Sequence, residues 1–449
     1  MLGQVKVKKG ITPTQFIVVG FAVIILLGAI LLTMPFSVRS GNLNNFIDAL
    51  FTATSAVCVT GLVTVDTGTF YNPIGHVIVI LLIQIGGLGI ISATTFYAML
   101  LGKRIGLKER VLIKEAMNSD SLGGVVRLVR AVLITTISIE CIGAVILALA
   151  FMQYFPLPKA LWYGIFHSIS SFCNAGFDLL GQDFTPYCSL IPLQNNPIIL
   201  ITIACLIILG GLGFVTILSV VQKKSFQRLS IHNKLVIVTT AIFIVVGWLF
   251  FFFSESQATF SQMGVGDRIV NAFFLSVTPR TAGYTSVDLG KAIPSTLLMI
   301  MLFMFVGASP AGTGGGIKTT TFSTLVLAVL SRIRGRDDVE IYGRHIDKDT
   351  VYRALTVTAM ALSVVFACIM LLTLLDDHDV IRLMFEAFSA WGTVGLSTGI
   401  TPDLSTGAKI VLIFLMFFGR LGPLTIAFAL LQKKTTTHIK YPHGGVIIG

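Results

Sequence analysis

Charge is what this sequence has least of. Only 12% of its 449 residues are Asp, Glu, Lys or Arg, against about 25% in an ordinary soluble domain. A water-facing surface cannot be built from that share. The six cysteines, at 58, 141, 173, 188, 205 and 368, include no CxxC spacing and mostly sit inside apolar runs, which argues against disulfides or a zinc site. HExxH, paired intramembrane carboxylates and nucleophile motifs are all missing, so an enzyme with a membrane-embedded site has no support. The seven histidines show no metal-ligand spacing, and His76 and His167 read as polar or boundary residues. "GTGGGIK" (312–318) is neither GxxxxGK[ST] nor a Rossmann turn after a strand, so it is a weak nucleotide signal.

What is present is apolar length. With 54% hydrophobic residues and a mean hydropathy of +0.88, the chain reads as an all-α polytopic membrane protein. A helix needs about 20 apolar residues to cross about 30 Å of hydrocarbon, and "TQFIVVGFAVIILLGAILLTMPF" (14–36) supplies one. This run is too long for a signal peptide and no small-residue cleavage site follows it, so it is expected to be a retained first helix, with Met1 as the mature start. Further runs at about 73–101, 126–154, 196–221, 233–253, 295–330, 351–375 and 407–431 bring the expectation to eight full crossings.

Between the members of each pair lies a shorter, mildly apolar stretch ending in a glycine turn: "LNNFIDALFTATSAVCVTGL", "ALWYGIFHSISSFCNAGF", "VNAFFLSVTPRTAGY" and "IRLMFEAFSAWGTVGL". Such lengths read as re-entrant. Gly61, Gly176, Gly283 and Gly395 fall in one column, and Phe51, Phe166, Phe273 and Phe385 in another ten residues earlier. The following helices align Gly86, Gly210, Gly307 and Gly419 in "IGGLGI", "LGGLGF", "VGASPA" and "FGRLGP". The expected organisation is four copies of helix, half-helix, turn and helix around one pseudo-fourfold pore. Their bounds are 11–105, 125–224, 230–332 (with a broken inner helix) and 350–434, followed by a cytoplasmic tail at 435–449.

Charge sets the orientation. Lys plus Arg number 23 in the two tails and inter-repeat loops and 6 on the opposite side, whereas acids number 8 and 12. The basic side, of net charge +15, is cytoplasmic by the positive-inside rule, and both termini lie there. The basic balance is a topology signal and calls for no nucleic acid.

Non-helical backbone is tolerated at membrane depth only where protein buries it or a wet cavity adjoins it. Four such turns should therefore meet around one pore. Half-helices entering from outside aim their negative carboxyl ends at its axis, which favours cations. Asp48, Asp66, Asp178, Asp183, Asp288 and Asp403 flank the turns and would concentrate cations at the mouth. "GASPAGTGGGIKTTT" (307–321) puts five glycines and a proline inside a span, at about 1 kcal/mol per Gly and about 3 for Pro. It reads as a loop obstructing the pore beneath the turns, or alternatively as a kink or small-residue packing seam. Lys318 either holds that loop or snorkels to the cytoplasmic surface.

With these residues in view, the chain resembles the Trk/Ktr/HKT superfamily of potassium transporters, most of all the membrane subunit of bacterial Ktr systems, over about residues 11 to 434. The resemblance implies a potassium selectivity filter of carbonyls from Val59, Thr60 and Gly61, from Asn174, Ala175 and Gly176, from Thr281, Ala282 and Gly283, and from Thr393, Val394 and Gly395. Glycine rather than serine at 61 implies preference for potassium over sodium. An intramembrane gate is implied at Gly307, Ala308, Ser309, Pro310, Ala311, Gly312, Thr313, Gly314, Gly315, Gly316 and Lys318, with the inner-helix arginine at Arg420 as tether, electrostatic barrier or both.

Arg280 is expected to point behind the third turn, towards a carboxylate, with Glu386 and Glu140 as candidates, or towards backbone carbonyls. The resemblance also implies a bacterial plasma membrane, a homodimer and a cytosolic ring of RCK subunits that bind adenine nucleotides, for which the charged loop 331–349 is a candidate docking element. Potassium is the substrate, no covalently bound cofactor is expected, and sodium stimulation is left open. Alternative readings are a secondary cation transporter with broken helices and a sodium-permeable pore of the same superfamily.

Overall fold

The computed structural model describes residues 12–89, 125–336, 338–423 and 425–426, whose regular secondary structure is almost wholly helical. Helix α1 (Pro13–Thr33) starts at a capping box, in which Thr12 accepts from the Gln15 amide and the Gln15 side chain accepts from the Thr12 amide. A short helix, α2 (Phe46–Cys58), and an inner helix, α3 (Pro73–Leu88), follow. The same order returns as α4 (Val125–Phe151), α5 (Leu157–Phe172) and α6 (Pro197–Leu212) with α7 (Phe214–Lys223). It returns again as α8 (Ile231–Ser254), α9 (Val265–Val277) and α10 (Pro294–Phe305) with α11 (Thr319–Ile333), and then as α12 (Lys348–Leu375), α13 (Val380–Gly392) and α14 (Thr406–Leu421). A small antiparallel hairpin, β1 (Val339–Ile341) and β2 (Arg344–Ile346), joins α11 to α12.

The long helices are apolar on the outside. Leu26 and Leu27 on α1, Ile142 and Leu149 on α4, Val245 and Leu249 on α8, and Phe366 and Met370 on α12 are all exposed. Water would make that surface an aggregation hazard, whereas hydrocarbon solvates it. The short helices are the buried ones: Phe51, Phe166 and Phe385 are fully enclosed and Phe273 is half-buried. Thus the aromatic column faces the centre of the molecule, while the spanning helices form its wall.

Among the described residues four helices, α1, α4, α8 and α12, are long and apolar enough to cross a membrane by themselves, and α6 with α7 makes a fifth candidate bent by 95°. The expected inner-helix runs are not continuous. The 295–330 run breaks between Phe305 and Thr319, as its glycines and proline suggest. The 196–221 run also breaks, at Gly213 (φ 85°, ψ 137°), which the sequence reading did not anticipate. Within the described residues α3 ends at Gly89 (φ 81°, ψ 142°) and α14 at Gly422 (φ 82°, ψ 144°). The rest of the 73–101 and 407–431 runs, the outer bounds 11–105 and 350–434 and the tail 435–449 extend outside the described residues. A lone glycine costs a helix only about 1 kcal/mol, so tertiary contacts must decide the break at Gly213. At Gly213 a Cβ would collide with the Pro310 carbonyl, and the next amide, of Phe214, donates to the Ala311 carbonyl at 3.0 Å.

Candidate functional site

A residue in the left-handed region follows each short helix: Val59 (φ 58°) and Thr393 (φ 49°) directly at the ends of α2 and α13, Asn174 (φ 60°) and Thr281 (φ 76°) a little past the ends of α5 and α9. Two residues later comes a glycine of positive φ: Gly61, Gly176, Gly283 and Gly395, at 92°, 70°, 78° and 92°. These four turns close into a ring. A Cβ built on Gly61 would lie 3.2 Å from the Gly176 Cα; on Gly176, 3.1 Å from the Gly283 Cα; on Gly283, 3.0 Å from the Gly395 Cα; and on Gly395, 2.8 Å from the Gly61 Cα. Each such Cβ would also collide with a carbonyl oxygen of the next turn, from Ala175, Ala282, Val394 and Thr60 in that order. Glycine is therefore required twice, by backbone conformation and by space. The twelve residues expected to line a filter all lie in these turns, buried except for half-buried Gly395.

Hydroxyls missed in the sequence reading hold the turns. Ser55 accepts from the Gly61 amide at 3.0 Å and Ser389 from the Gly395 amide at 3.1 Å, while Ser170 donates to the Phe177 carbonyl at 2.9 Å. All three stand six residues before the turn glycine, a column visible in the aligned repeats. Glu386 supports the outgoing arm of the fourth turn: it accepts from Ser397 (2.7 Å), the Thr398 amide (3.1 Å) and Thr401 (2.7 Å).

Glu386 is therefore not the partner of Arg280, and neither is Glu140, whose carboxylate faces Gln84 at 3.2 Å and the Cys173 thiol at 3.8 Å. Instead the Arg280 guanidinium donates to Thr240 on α8 at 3.1 Å, and its Nε has no partner among the described residues. It does point behind the turn, but to a hydroxyl. His76 and His167 are buried, each with a ring nitrogen on a backbone carbonyl, of Thr67 at 3.0 Å and of Tyr163 at 2.8 Å. No metal-binding group of His, Cys, Asp and Glu occurs among the described residues.

The inner-helix glycines explain why one repeat differs. A Cβ on Gly86, Gly210 or Gly419 would collide with the carbonyl of Val57, Phe172 or Trp391, each four residues before a turn glycine. In the third repeat the corresponding contact of Gly307 is with the Gly315 carbonyl, so the loop 306–318 occupies the space that a short-helix end fills elsewhere. The loop is stitched to its surroundings. The Gly315 amide donates to the Thr393 hydroxyl at 2.9 Å, the Thr313 hydroxyl donates to the Phe172 carbonyl at 3.3 Å, and the Gly316 amide donates to the Gly419 carbonyl at 3.2 Å. Lys318 Nζ donates to the Gly314 carbonyl at 2.7 Å, so it holds the loop rather than snorkelling. Arg420 donates to the Thr313 carbonyl and to the Gly86 carbonyl, joining the loop and α14 to α3.

Outside the ring lies a cavity of about 170 Å³, with Gly61, Gly176, Gly283 and Gly395 at its floor and Asp66 and Asp178 in its wall. Only these two of the six expected outer carboxylates line it. Asp48 pairs with Lys409 at 3.0 Å, Asp288 with Lys291 at 3.1 Å, and Asp183 with Lys159. Burial, and then the neighbouring Asp66, push the Asp178 carboxyl up to about 7. The cavity thus places carboxylates above a carbonyl-rich ring, with no cationic side chain among the residues around it, an arrangement that favours cations over anions.

A family model described as a cation transport protein, TrkH, matches residues 10–437. The potassium/sodium uptake protein NtpJ of Enterococcus hirae is 39% identical, over 99% of both chains. The Ktr system potassium uptake protein B of Bacillus subtilis is 39% identical, over 98% of this chain and 97% of its own. The crystal structure of the potassium transporter TrkH from Vibrio parahaemolyticus superposes with a TM-score of 0.73, covering 96% of this chain and 86% of that one at 18% identity, which is a likeness of fold.

Proposed function

The chain belongs to the TrkH family of cation transport proteins, within the Trk/Ktr/HKT superfamily, and from that premise we propose that it is the pore subunit of a potassium uptake system. It is a transporter and not an enzyme. Potassium passes down its electrochemical gradient through the ring of turns, where carbonyls from Val59–Gly61, Asn174–Gly176, Thr281–Gly283 and Thr393–Gly395 replace the hydration shell. The observation that carries this reading is the closure of the ring, fourth turn back to first, beneath an acidic cavity. Four turns meeting at one axis favour a pore over a two-repeat transporter with a midplane site. The curated relatives' names support potassium as the ion, and the sodium in one of those names keeps a sodium-permeable pore as the runner-up.

The loop Gly307–Lys318 is the gate, and Arg420 is its tether. Eight crossings in four repeats put both termini in the cytoplasm of a bacterial cell, by the charge asymmetry of the loops. Two relatives are named as proteins of a Ktr system, which supports a partner subunit; the proposed form is a pore homodimer on an RCK ring that binds adenine nucleotides. The hairpin Val339–Ile346 is a lever for it, because it follows directly on the helix that leaves the gate.

The deciding experiment is rubidium uptake into liposomes holding this chain alone, with potassium, sodium and lithium as competitors. Uptake blocked by potassium far better than by sodium supports the reading. Equal block by both supports the sodium-permeable alternative, and no uptake by a correctly inserted protein rejects a self-sufficient pore.

A further inference from the structure

A second cavity, of about 340 Å³, lies between the start of α8, the first half of α11, strand β2 and the start of α12. Its polar wall consists of Arg353, His232 and the threonines 320, 321, 324 and 350. The remainder is apolar, with Leu235 and Ala354 buried and Ile346 and Val357 half-buried. No carboxylate belongs to the wall.

The donors here lack acceptors. The Arg353 guanidinium is exposed and makes no hydrogen bond or ion pair among the described residues, and neither do the hydroxyls of Thr320, Thr321 and Thr350. Neighbouring cations are occupied: Lys348 faces Asp338 at 3.9 Å, Arg336 faces Glu340 at 3.5 Å, and Lys234 lies over the Tyr342 ring at 5.1 Å. Thr350 sits in the first turn of the 28-residue helix α12, which Asp347 and Asp349 open, and its amide donates to the Asp347 carbonyl at 2.9 Å.

Depth and surroundings select the ligand. The cavity joins the ends of two spanning helices, α8 and α12, on the basic side of the protein. The two helices that line it, α11 and α12, expose Val329, Tyr352 and Leu355. A site with cationic and hydroxyl donors above an apolar wall, at the edge of hydrocarbon, matches a phosphate headgroup with its acyl chains alongside.

We propose that this cavity binds the phosphodiester of an anionic inner-leaflet phospholipid, with Arg353 as its charge partner and the hydroxyls of Thr320, Thr321 and Thr350 as further donors. The site adjoins the gate by direct connection. Thr319, which precedes two of the lining threonines, shares a 2.9 Å hydrogen bond with Ser309 and donates its amide to the Ala308 carbonyl at 3.3 Å. A lipid held between α11 and α12 thus touches the helix that leaves the gating loop. The cytoplasmic orientation rests on the topology proposed above; the binding chemistry does not.

The test is retention of phosphatidylglycerol by the purified full chain, read by native mass spectrometry after transfer from phosphatidylcholine vesicles with and without phosphatidylglycerol. The parent is expected to retain it over phosphatidylcholine. Arg353→Gln should lower retention about fivefold, the contribution of one basic residue at an anionic surface; Arg353→Lys should keep most of it, and Thr321→Val should lower it by a smaller factor. Equal retention by parent, Arg353→Gln and Thr321→Val overturns the site. Inorganic phosphate that displaces the lipid at millimolar concentration would assign the cavity to a soluble phosphate and overturn the lipid assignment. Rubidium uptake by the same samples is scored separately, so a failed pore reading leaves the binding result intact.

Discussion

The Thr393 hydroxyl oxygen stands 2.9 Å from the Gly315 amide nitrogen and accepts its hydrogen bond. One residue thus belongs to both the fourth turn and a contact with the Gly-rich loop. The turn and the loop proposed as the gate are mechanically joined.

Thr393→Val keeps the shape of that side chain and removes the acceptor. A buried amide left without a partner costs about 1–3 kcal/mol, here charged to the loop's closed position. Rubidium uptake by the variant in liposomes is expected to rise about tenfold, the shift that ~1.4 kcal/mol gives in an open-to-closed ratio. Uptake equal to the parent's in a variant that inserts normally would show that the loop does not depend on this contact.

Deleting Ala311–Gly316 removes the part of the loop bonded to Thr393, Phe172 and Arg420. Flux should increase by more than for Thr393→Val, because the obstruction itself is gone. Unchanged or reduced uptake with normal insertion would make the stretch a packing kink.

Gly61→Ser places a side chain where a Cβ already collides with the Ala175 carbonyl, at a backbone φ of 92°. The turn must shift, and with it the carbonyls of the first and second repeats. Discrimination against sodium in rubidium competition is expected to fall about tenfold, or ~1.4 kcal/mol. An unaltered ratio of potassium to sodium block would place selectivity away from this ring.

The Asp178 carboxyl, raised to about 7, is neutral below that pH and ionised above it. Acidifying the outside therefore removes negative charge from the entrance. Uptake at subsaturating potassium should grow several-fold from roughly pH 6 to pH 8, and Asp178→Asn should flatten that rise. A pH profile identical in parent and variant would take this carboxylate out of cation entry.

Much of this was legible in the sequence because the evidence repeats. Gly61, Gly176, Gly283 and Gly395 share a column with a phenylalanine ten residues earlier, and each turn needs glycine for a local reason, its positive φ. Local requirements leave marks that recur with the repeat, so the turns and the Gly-rich loop are legible in the sequence. The Ser55, Ser170 and Ser389 column is there too, but a serine alone does not reveal what its hydroxyl holds.

Partner choice and helix breaks were decided only in three dimensions. For Arg280 the sequence suggests a carboxylate or backbone carbonyls behind the turn, yet Thr240 is the group that the packing of α8 brings to it, while Glu386 is saturated by its own repeat. Gly213 looks like any helix glycine at a cost of about 1 kcal/mol; the bend there follows from the carbonyls of Pro310 and Ala311, roughly a hundred residues away in sequence. By itself the sequence determined the membrane character, the outward charge asymmetry and the places where backbone must turn, since each follows from residue type and spacing. Which turn abuts which, where the inner helices bend and which donor meets which acceptor were settled by tertiary packing, because those energies belong to pairs of residues that periodicity does not bring together.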